Sequence, residues 1–169
     1  MKTLLLIRHA KSSWKKPDLA DVDRPLNRRG KRDARFMASV LGKVGIQPDR
    51  ILTSPARRAL KTARAIADIL GCDRDRIVVD EAIYDTGYRA LLGSIQAVEE
   101  GCDVLFVVGH NPEITELAED FTSTEIRSVP TCGIFCCAFN IDSWSDICDG
   151  GGRLVFYDFP KNHPERKST

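Results

Sequence analysis

The sequence has no long hydrophobic run. Its apolar stretches reach about five to seven residues, well short of the roughly 18 that a membrane-spanning helix needs. The N-terminus enters an apolar strand pattern without the apolar region and cleavage site of a signal peptide. These absences predict a cytoplasmic protein that does not associate with a membrane.

An excess of charge of one sign is also missing. The 169 residues include 25 Lys and Arg and 24 Asp and Glu, which gives a formal net charge of +1. A balanced surface has no general attraction to nucleic acid, so any anion site must be local. The basic cluster over residues 28–32 has no interleaved aromatic side chains, and we interpret it as a solvated helix start rather than as a nucleic-acid patch.

Patterns that bind metal ions are equally scarce. There are three His and six Cys, the cysteines form no CxxC motif, and carboxylates and histidines do not cluster at the spacing of metal ligands. If residues 132–137 form a strand, Cys136 and Cys137 point to opposite faces of the sheet, which does not suit a tetrahedral zinc site. A chain of this length can also build its core without disulfides. We therefore expect reduced core thiols, no metal site and no cofactor.

The sequence does contain short apolar runs that alternate with helical patterns. This alternation predicts a largely parallel sheet covered on both faces, and a glycine-rich loop between the last two runs predicts an antiparallel edge. The expected fold is an α/β three-layer α/β/α sandwich, built by a single domain over residues 1–160 and followed by a flexible tail over 161–169. The strand candidates are residues 3–7, 50–53, 77–79, 104–108, 133–141 and 153–159, and the helix candidates are residues 29–44, 55–70, 88–99 and 112–121.

Basic and imidazole side chains follow three of the predicted strands. Ligands of open α/β sheets bind at the carboxyl ends of the strands, so these side chains should meet at one edge. A guanidinium binds phosphate oxygens in pairs, and nearby cations disfavour a protonated imidazole, which leaves a nitrogen free to attack phosphorus. The pattern therefore favours a phosphoryl-transfer site with His9 as its nucleophile. The side chains in question are Arg8, His9, Arg57, Arg58, His110 and Asn111.

Four segments resemble the histidine phosphatase superfamily, also called phosphoglycerate mutase-like. LLLIRHAKSS is similar to the family's strand with its Arg-His-Gly signature, and RPLNRRGKRDA is similar to its Pro-Leu-Thr-x-x-Gly-x-x-Gln-Ala helix entry. SPARRALKTA resembles its Ser-Pro-x-x-Arg-Ala-x-x-Thr-Ala segment, and VVGHNP resembles the segment of its distal histidine. The short length, without room for a large insert, further resembles the SixA-type phosphohistidine phosphatases. Three positions depart from the family's usual residues, and none carries the proposed chemistry: Ala10, Asn27 and Asp33.

The resemblance implies a role for each matched residue. His9 would become phosphohistidine during turnover, and two arginines and the second histidine would hold the phosphoryl group. A serine and an amide would line the same pocket as substrate-binding residues. These assignments place Arg8, Arg58 and His110 around the phosphoryl group, and Ser12 and Asn111 beside it.

The resemblance leaves the general acid open. The family's acid usually follows a Leu-x-Glu pattern, and the segment EAIYDTG aligns Asp85 with that glutamate. Glu81 is the rival, because a strand that continued through this segment would put both carboxylates on one face. Asp85 could instead cap a helix that begins near Tyr88.

These observations favour a metal-independent phosphatase that acts through a phosphohistidine intermediate. A phosphohistidine protein is the first hypothesis for its substrate, so the expected partner is a phosphorylated protein or a small phosphorylated metabolite, with no nucleic acid. One alternative is a small-molecule phosphomonoesterase or mutase of the same fold. Another is a non-catalytic phosphoprotein-binding module, although a binder would have no use for His9 together with both arginines. The oligomeric state stays open.

Overall fold

The apolar runs of the sequence form the strands of one six-stranded sheet. A computed structural model describes residues 1–168 of the chain. The strand order is β3-β2-β4-β1-β5-β6. Strands β1 to β4 are parallel, whereas β5 runs antiparallel to β1 and β6 antiparallel to β5, which confirms the predicted antiparallel edge. The strands are β1 (Lys2–Arg8), β2 (Arg50–Thr53), β3 (Ile77–Val79), β4 (Val104–Gly109), β5 (Ile134–Phe139) and β6 (Gly152–Asp158).

Four helices cover the two faces of this sheet. Side chains of β1 alternate between the faces, because successive residues of a strand point in opposite directions. Leu4 and Leu6 join one core cluster with α3 and α4, while Leu5 and Ile7 join a second cluster with α1 and α2. The two clusters make the three-layer α/β/α arrangement that the sequence predicts. The helices are α1 (Arg28–Val44), α2 (Arg57–Leu70), α3 (Tyr88–Gln96) and α4 (Glu113–Thr122).

The start of α1 holds the loop after β1 close to the sheet. The Asn27 side chain accepts a hydrogen bond from the Gly30 amide at 2.8 Å and so caps the helix. A Cβ atom on Gly30 would lie 2.1 Å from the carbonyl oxygen of Lys11. Only glycine allows this approach, which ties the chain beyond β1 to the first turn of α1.

The C-terminal segment differs from the predicted flexible tail. Residues Pro160–Asn162 and Pro164–Ser168 form two 3-10 turns. Arg166 is buried with its Nε 3.7 Å from a carboxylate oxygen of Asp33 on α1, and the His163 ring centroid lies 5.3 Å from that of Phe36. A charge contact and an aromatic contact thus attach this segment to α1, although its polar composition predicted no such contacts. Thr169, the last residue of the predicted tail, lies outside the described residues.

Two further features bear on the sequence predictions. The segment after β3 forms a 3-10 turn over Glu81–Ile83 instead of a longer strand, so strand alternation does not apply to it. Within residues 1–168, no helix is long and apolar enough to cross a membrane.

Candidate active site

The parallel register brings the predicted strand ends together. Arg8 pairs with Gly109 across β1 and β4, and the His9 amide donates to the Gly109 carbonyl at 3.0 Å. The Ser54 amide donates to the Val108 carbonyl at 3.1 Å and places the end of β2 beside β4. Arg8, His9, Ser54 and His110 therefore share one edge of the sheet, as expected for the carboxyl ends of parallel strands.

Helix α2 delivers Arg58 to this edge from its first turn. Arg58 is only 6% exposed. The Thr62 hydroxyl donates to the Arg58 carbonyl at 2.7 Å and accepts from the Ala10 amide at 3.0 Å. This hydroxyl connects the chain just after His9 to the helix that carries Arg58, so the two side chains keep a defined separation.

His9 lines the pocket with an unprotonated ring nitrogen. Its Nδ1 lies 2.8 Å from the Ala10 carbonyl oxygen, which can only accept, so Nδ1 carries the proton. The Nε2 atom is then unprotonated and accepts from Nε of Arg58 at 3.3 Å. Burial lowers the pKa of His9 to about 3; the hydrogen bond to Ala10 opposes this shift, and the charges of His110 and both arginines add to it. His9 is therefore neutral and nucleophilic at neutral pH.

His110 is the second imidazole of the pocket, with its ring centroid 5.0 Å from that of His9. Nη2 of Arg58 lies 3.5 Å from Nδ1 of His110, and since a guanidinium only donates, Nδ1 accepts. The Nε2 proton then faces the Ser54 hydroxyl oxygen at 2.8 Å. Burial, followed by the charge of Arg58, lowers the pKa of His110 to about 4.

Arg8 is anchored at one nitrogen and unsatisfied at another. Its Nη1 donates to the Val129 carbonyl at 2.9 Å. Its Nε is buried and has no hydrogen-bond partner among the described residues. Burial lowers the pKa of this guanidinium from its usual value, although it stays cationic. A buried N–H without a partner costs about 1–3 kcal/mol, so the site favours an arriving acceptor.

Asp21 is one of several site residues that the sequence analysis missed, with Ser54, Tyr84 and Glu113. The backbone carbonyl of Asp21 accepts from Nη1 of Arg58 at 2.7 Å, and its carboxylate accepts from Nη2 at 2.9 Å. The same carboxylate accepts from the Tyr84 hydroxyl at 2.9 Å and from Nη1 of Arg24 at 2.9 Å. Partial burial alone would raise the pKa of Asp21, but hydrogen bonds from these three partners lower it to about 2. Asp21 thus occupies both outer nitrogens of the arginine that the sequence assigns to phosphate, Nη1 through its backbone carbonyl and Nη2 through its carboxylate.

The structure separates the two candidate acids. Asp85 lines the pocket with a left-handed backbone (φ 55°), whereas Glu81 is not among the residues that line it. Gly87 is the N-cap of α3, with no capping bond from a side chain, so Asp85 does not cap that helix. Of the two carboxylates, only Asp85 lines the pocket.

The two predicted substrate-binding residues have other partners. The Asn111 amide nitrogen donates to the Ser128 hydroxyl and to the Val129 carbonyl, both at 2.9 Å, and its oxygen accepts from Thr115. Asn111 lines the pocket and also holds the loop that anchors Arg8. Ser12 is buried and does not line the pocket, because its hydroxyl faces Nη2 of Arg24.

Together these groups form a pocket of about 380 Å³, in which two guanidiniums lie deep beside the imidazoles and three carboxylates also line the wall. Two guanidiniums and two neutral imidazoles converge there, and Nε2 of His9 is unprotonated, a set that can bind an anion and attack its central atom. Within residues 1–168, no three His, Cys, Asp or Glu residues group in a way that could hold a metal ion. The lining residues are Arg8, His9, Asp21, Arg58, Tyr84, Asp85, His110, Asn111, Pro112 and Glu113.

Comparison with known proteins agrees with this geometry. The family model described as histidine phosphatase superfamily (branch 1) matches residues 4–101, more than half of the chain. An uncharacterized protein of Mycobacterium tuberculosis is 30% identical over 166 residues, which cover 92% of this chain and 100% of that protein. The range matched by the family model contains His9, which directly follows β1, and α2 with Arg58.

Two further comparisons relate the chain to named proteins. A 2,3-bisphosphoglycerate-dependent phosphoglycerate mutase of Cutibacterium acnes is 38% identical over 94 residues, 53% of this chain and 37% of the mutase. The chain spans between 30% and 40% of the length of the first curated relatives it matches. A crystal structure of a SixA protein from Agrobacterium tumefaciens, provisionally named a phosphohistidine phosphatase, superposes with a TM-score of 0.78 at 27% identity, covering 94% of this chain and 98% of that one. Motifs, fold and family model agree, and the chain belongs to branch 1 of the histidine phosphatase superfamily.

Proposed function

We propose that this protein is a phosphatase that transfers a phosphoryl group to Nε2 of His9 and then to water. The observation that carries the proposal is the unprotonated Nε2 of His9, 3.3 Å from Nε of Arg58, inside a pocket with two guanidiniums. A neutral imidazole nitrogen is a competent nucleophile toward phosphorus only if the phosphate charge is balanced nearby, and the arginines balance it.

The reaction proceeds in two displacements. The lone pair of Nε2 forms a bond to phosphorus, the bond from phosphorus to the leaving atom breaks, and its electron pair stays on the leaving atom. A proton from Asp85 or from water neutralises that atom. Water then attacks the phosphohistidine, the P–N bond breaks, and its electron pair returns to Nε2 as inorganic phosphate departs.

The other site residues support the phosphoryl group. Arg58 and Arg8 bind its equatorial oxygens, and the buried unpaired Nε of Arg8 gains an acceptor. His110, held by Ser54, would contact the same oxygens by donating its Nε2 proton, since an anionic oxygen can only accept. Asn111 positions Arg8 through the Val129 carbonyl, and Ser12 acts through Arg24 on Asp21.

We propose a protein-borne phosphohistidine as the substrate class. The similarity to the SixA structure supports it. The leaving nitrogen of a phosphoramidate can depart already protonated, so it depends little on an exposed acid such as Asp85.

The buried thiols of Cys102, Cys132, Cys136 and Cys137 suit a reducing compartment, and we propose that the protein acts in the cytoplasm.

A substrate screen tests the proposed function. The purified protein is assayed against a phosphohistidine peptide, phosphotyrosine, p-nitrophenyl phosphate, 3-phosphoglycerate and sugar phosphates, with and without EDTA. We expect the phosphohistidine peptide to be hydrolysed fastest, at an unchanged rate in EDTA, and His9→Ala to be inactive on every substrate. Faster turnover of 3-phosphoglycerate or a sugar phosphate would favour the phosphomonoesterase or mutase alternative. Binding of the phosphopeptide without turnover would favour the binding module.

A further inference from the structure

A second and larger hollow, of about 480 Å³, lies between α1 and α2 outside the active site. We call it the α1–α2 groove. Its walls carry six cations but only one carboxylate, which is a strong local excess for a chain of net charge +1. The groove is lined by Pro25, Leu26, Lys31, Arg35, Arg57, Lys61, Arg64, Ala65, Asp68, Ile69 and Arg74.

Most of these cations have no carboxylate partner. Arg74 forms a salt bridge with Asp68 at 2.9 Å, which neutralises the one acidic residue of the groove. Among the described residues, the other five cations of the groove form no salt bridge. Five like charges left together repel one another, so an anionic occupant would relieve that repulsion.

The cations are arranged along a helix rather than around a point. Arg57, Lys61 and Arg64 are spaced at i, i+4 and i+7 on α2, which places them on one face. At a rise of about 1.5 Å per residue they extend over roughly 10 Å, about two helical turns. A single phosphate would contact one of them at a time, whereas an extended acidic segment would contact all three.

The groove also has apolar surface. Leu26 and Ala65 line it, and Ile69 is 38% exposed there. A neighbouring hollow shares Arg35 and Ile69 with the groove and adds the side chain of Phe36. A purely polar anion makes no use of these contacts, whereas the apolar side of an amphipathic helix would bury against them.

One end of the groove adjoins the active site. Arg57 lines the groove and the next residue, Arg58, contacts His9. Pro25 lines the groove and directly follows Arg24, which pairs with Asp21 in the active site. A chain bound along α2 would therefore reach the rim of the phosphoryl pocket.

We propose that the α1–α2 groove docks an acidic amphipathic segment of the phosphoprotein substrate and so presents its phosphorylated side chain to His9. The inference rests on the proposed phosphatase activity and adds a recognition element outside the phosphoryl pocket. A nucleic acid fits less well, because no aromatic side chain lines the groove and the adjoining hollow adds Phe36 alone, whereas successive bases stack on several aromatic rings. A second copy of the chain fits less well too, because a two-fold pair would bring two of these cation-rich grooves together and like charges repel.

Two matched peptides test the docking. Both carry one phosphohistidine followed by a helical segment of equal length with leucines on one side; one has Glu at positions i, i+4 and i+7, and the other has Gln there. We expect kcat/KM of the purified protein to be about tenfold higher for the Glu peptide at low salt, the sum of several surface charge pairs. The difference should vanish near 1 M NaCl, where the Debye length is about 3 Å.

Charge-reversal variants test whether the preference for the Glu peptide depends on the cations of the groove. Lys61→Glu combined with Arg64→Glu should abolish the preference for the Glu peptide and leave kcat/KM for p-nitrophenyl phosphate unchanged. Lys43→Glu combined with Arg153→Glu makes the same change in charge on residues outside the groove and should keep the preference. Equal kcat/KM for the two peptides, or equal loss of preference in both double variants, would overturn the proposal.

A binding measurement separates this inference from the phosphatase proposal. Fluorescence anisotropy with the unphosphorylated Glu peptide reports docking without turnover. Binding that the groove variant loses, in a protein that hydrolyses no phosphate, would support the groove and refute the phosphatase. Displacement of the peptide by a short single-stranded RNA or by pyrophosphate at lower concentration than by free Glu peptide would assign the groove to those anions and overturn the proposal. Self-association of the wild-type protein that the groove variant loses would likewise overturn it.

Discussion

Asp21 occupies the nitrogens of Arg58 that a phosphate would use, with its carboxylate 2.9 Å from Nη2 and its carbonyl oxygen 2.7 Å from Nη1. A phosphoryl group that binds Arg58 must therefore compete with an internal anion. The Tyr84 hydroxyl and Arg24 hold the same carboxylate, so the competition is built into the loop between β1 and α1.

We expect Asp21→Asn to bind vanadate about three- to tenfold more tightly than the wild type, since one negative charge leaves a partly solvated pocket. Vanadate imitates the five-coordinate phosphoryl group, so its inhibition constant against p-nitrophenyl phosphate hydrolysis measures this affinity. Asp23→Asn, two residues away and outside the pocket, is the matched control and should bind vanadate as the wild type does. Weaker binding in Asp21→Asn would mean that Asp21 positions Arg58 rather than competing for it.

The neighbouring arginines should respond differently to substitution. Arg58→Lys keeps the charge but loses the planar fork that reaches both His9 and the phosphate, so kcat/KM for p-nitrophenyl phosphate should fall roughly 100-fold. Arg57 is exposed and faces the α1–α2 groove, so Arg57→Ala should change kcat/KM for p-nitrophenyl phosphate by less than about twofold. The reverse order of effects would show that the two arginines have been assigned the wrong roles.

The lowered histidine pKa values predict that acid destabilises the fold. In the unfolded chain, His9 and His110 take up protons below about pH 6.5. In the folded chain, His9 has a pKa of about 3 and His110 a pKa of about 4, so both imidazoles stay neutral until the pH falls to those values. Protonation therefore favours unfolding, and each histidine lowers the free energy of unfolding by up to about 1.4 kcal/mol per pH unit across that window. Urea denaturation at pH 7 and pH 5 measures the slope, which His110→Gln should reduce.

His163 should change the pH dependence of stability in the opposite direction. The hydrogen bond to Asp158 raises the pKa of His163, so the folded chain binds a proton at His163 more tightly than the unfolded chain does. Protonation of His163 therefore adds stability as the pH falls from 7 to 5. His163→Gln should therefore make the loss of stability between pH 7 and pH 5 steeper. A slope that stays the same in both variants would show that neither histidine titrates differently on folding.

The role of Asp85 depends on the leaving group. An alkoxide needs a proton as it departs, whereas p-nitrophenolate and a phosphoramidate nitrogen need little help. Asp85→Asn should lower kcat/KM about 100-fold for an alkyl phosphate and less than about threefold for p-nitrophenyl phosphate. Glu81→Gln is the matched control, since Glu81 does not line the pocket, and it should act like the wild type on both. Equal losses on the two substrates would exclude Asp85 as the proton donor.

Most of the fold follows from local patterns in the sequence. Strands β2 and β3 match the predicted residues, because short apolar runs next to helical periods leave few other assignments. His9, Arg58 and His110 could be predicted to meet because parallel strands end at one edge. The position of Asp21 could not be predicted. Its contact with Arg58 joins a loop to a helix residue 37 positions away, and no sequence periodicity indicates such a pair.

The C-terminal segment shows the same limit. Its composition is polar, and it is held by Arg166 next to Asp33 and by His163 next to Phe36, two long-range contacts with α1. Local composition reports whether a segment can form its own core, and it says nothing about a partner elsewhere in the chain. The Asn111 amide is a comparable case, because its hydrogen bonds to residues 128 and 129 depend on how a distant loop folds back.

The central claim is a covalent bond between phosphorus and Nε2 of His9. Incubation with a radiolabelled phosphohistidine peptide, followed by an alkaline quench, proteolysis and mass spectrometry, measures it most directly. The account predicts an acid-labile, alkali-stable label on the peptide that contains His9, attached at Nε2, and no label in His9→Ala. A label on any other residue, or one that persists in His9→Ala, would contradict it.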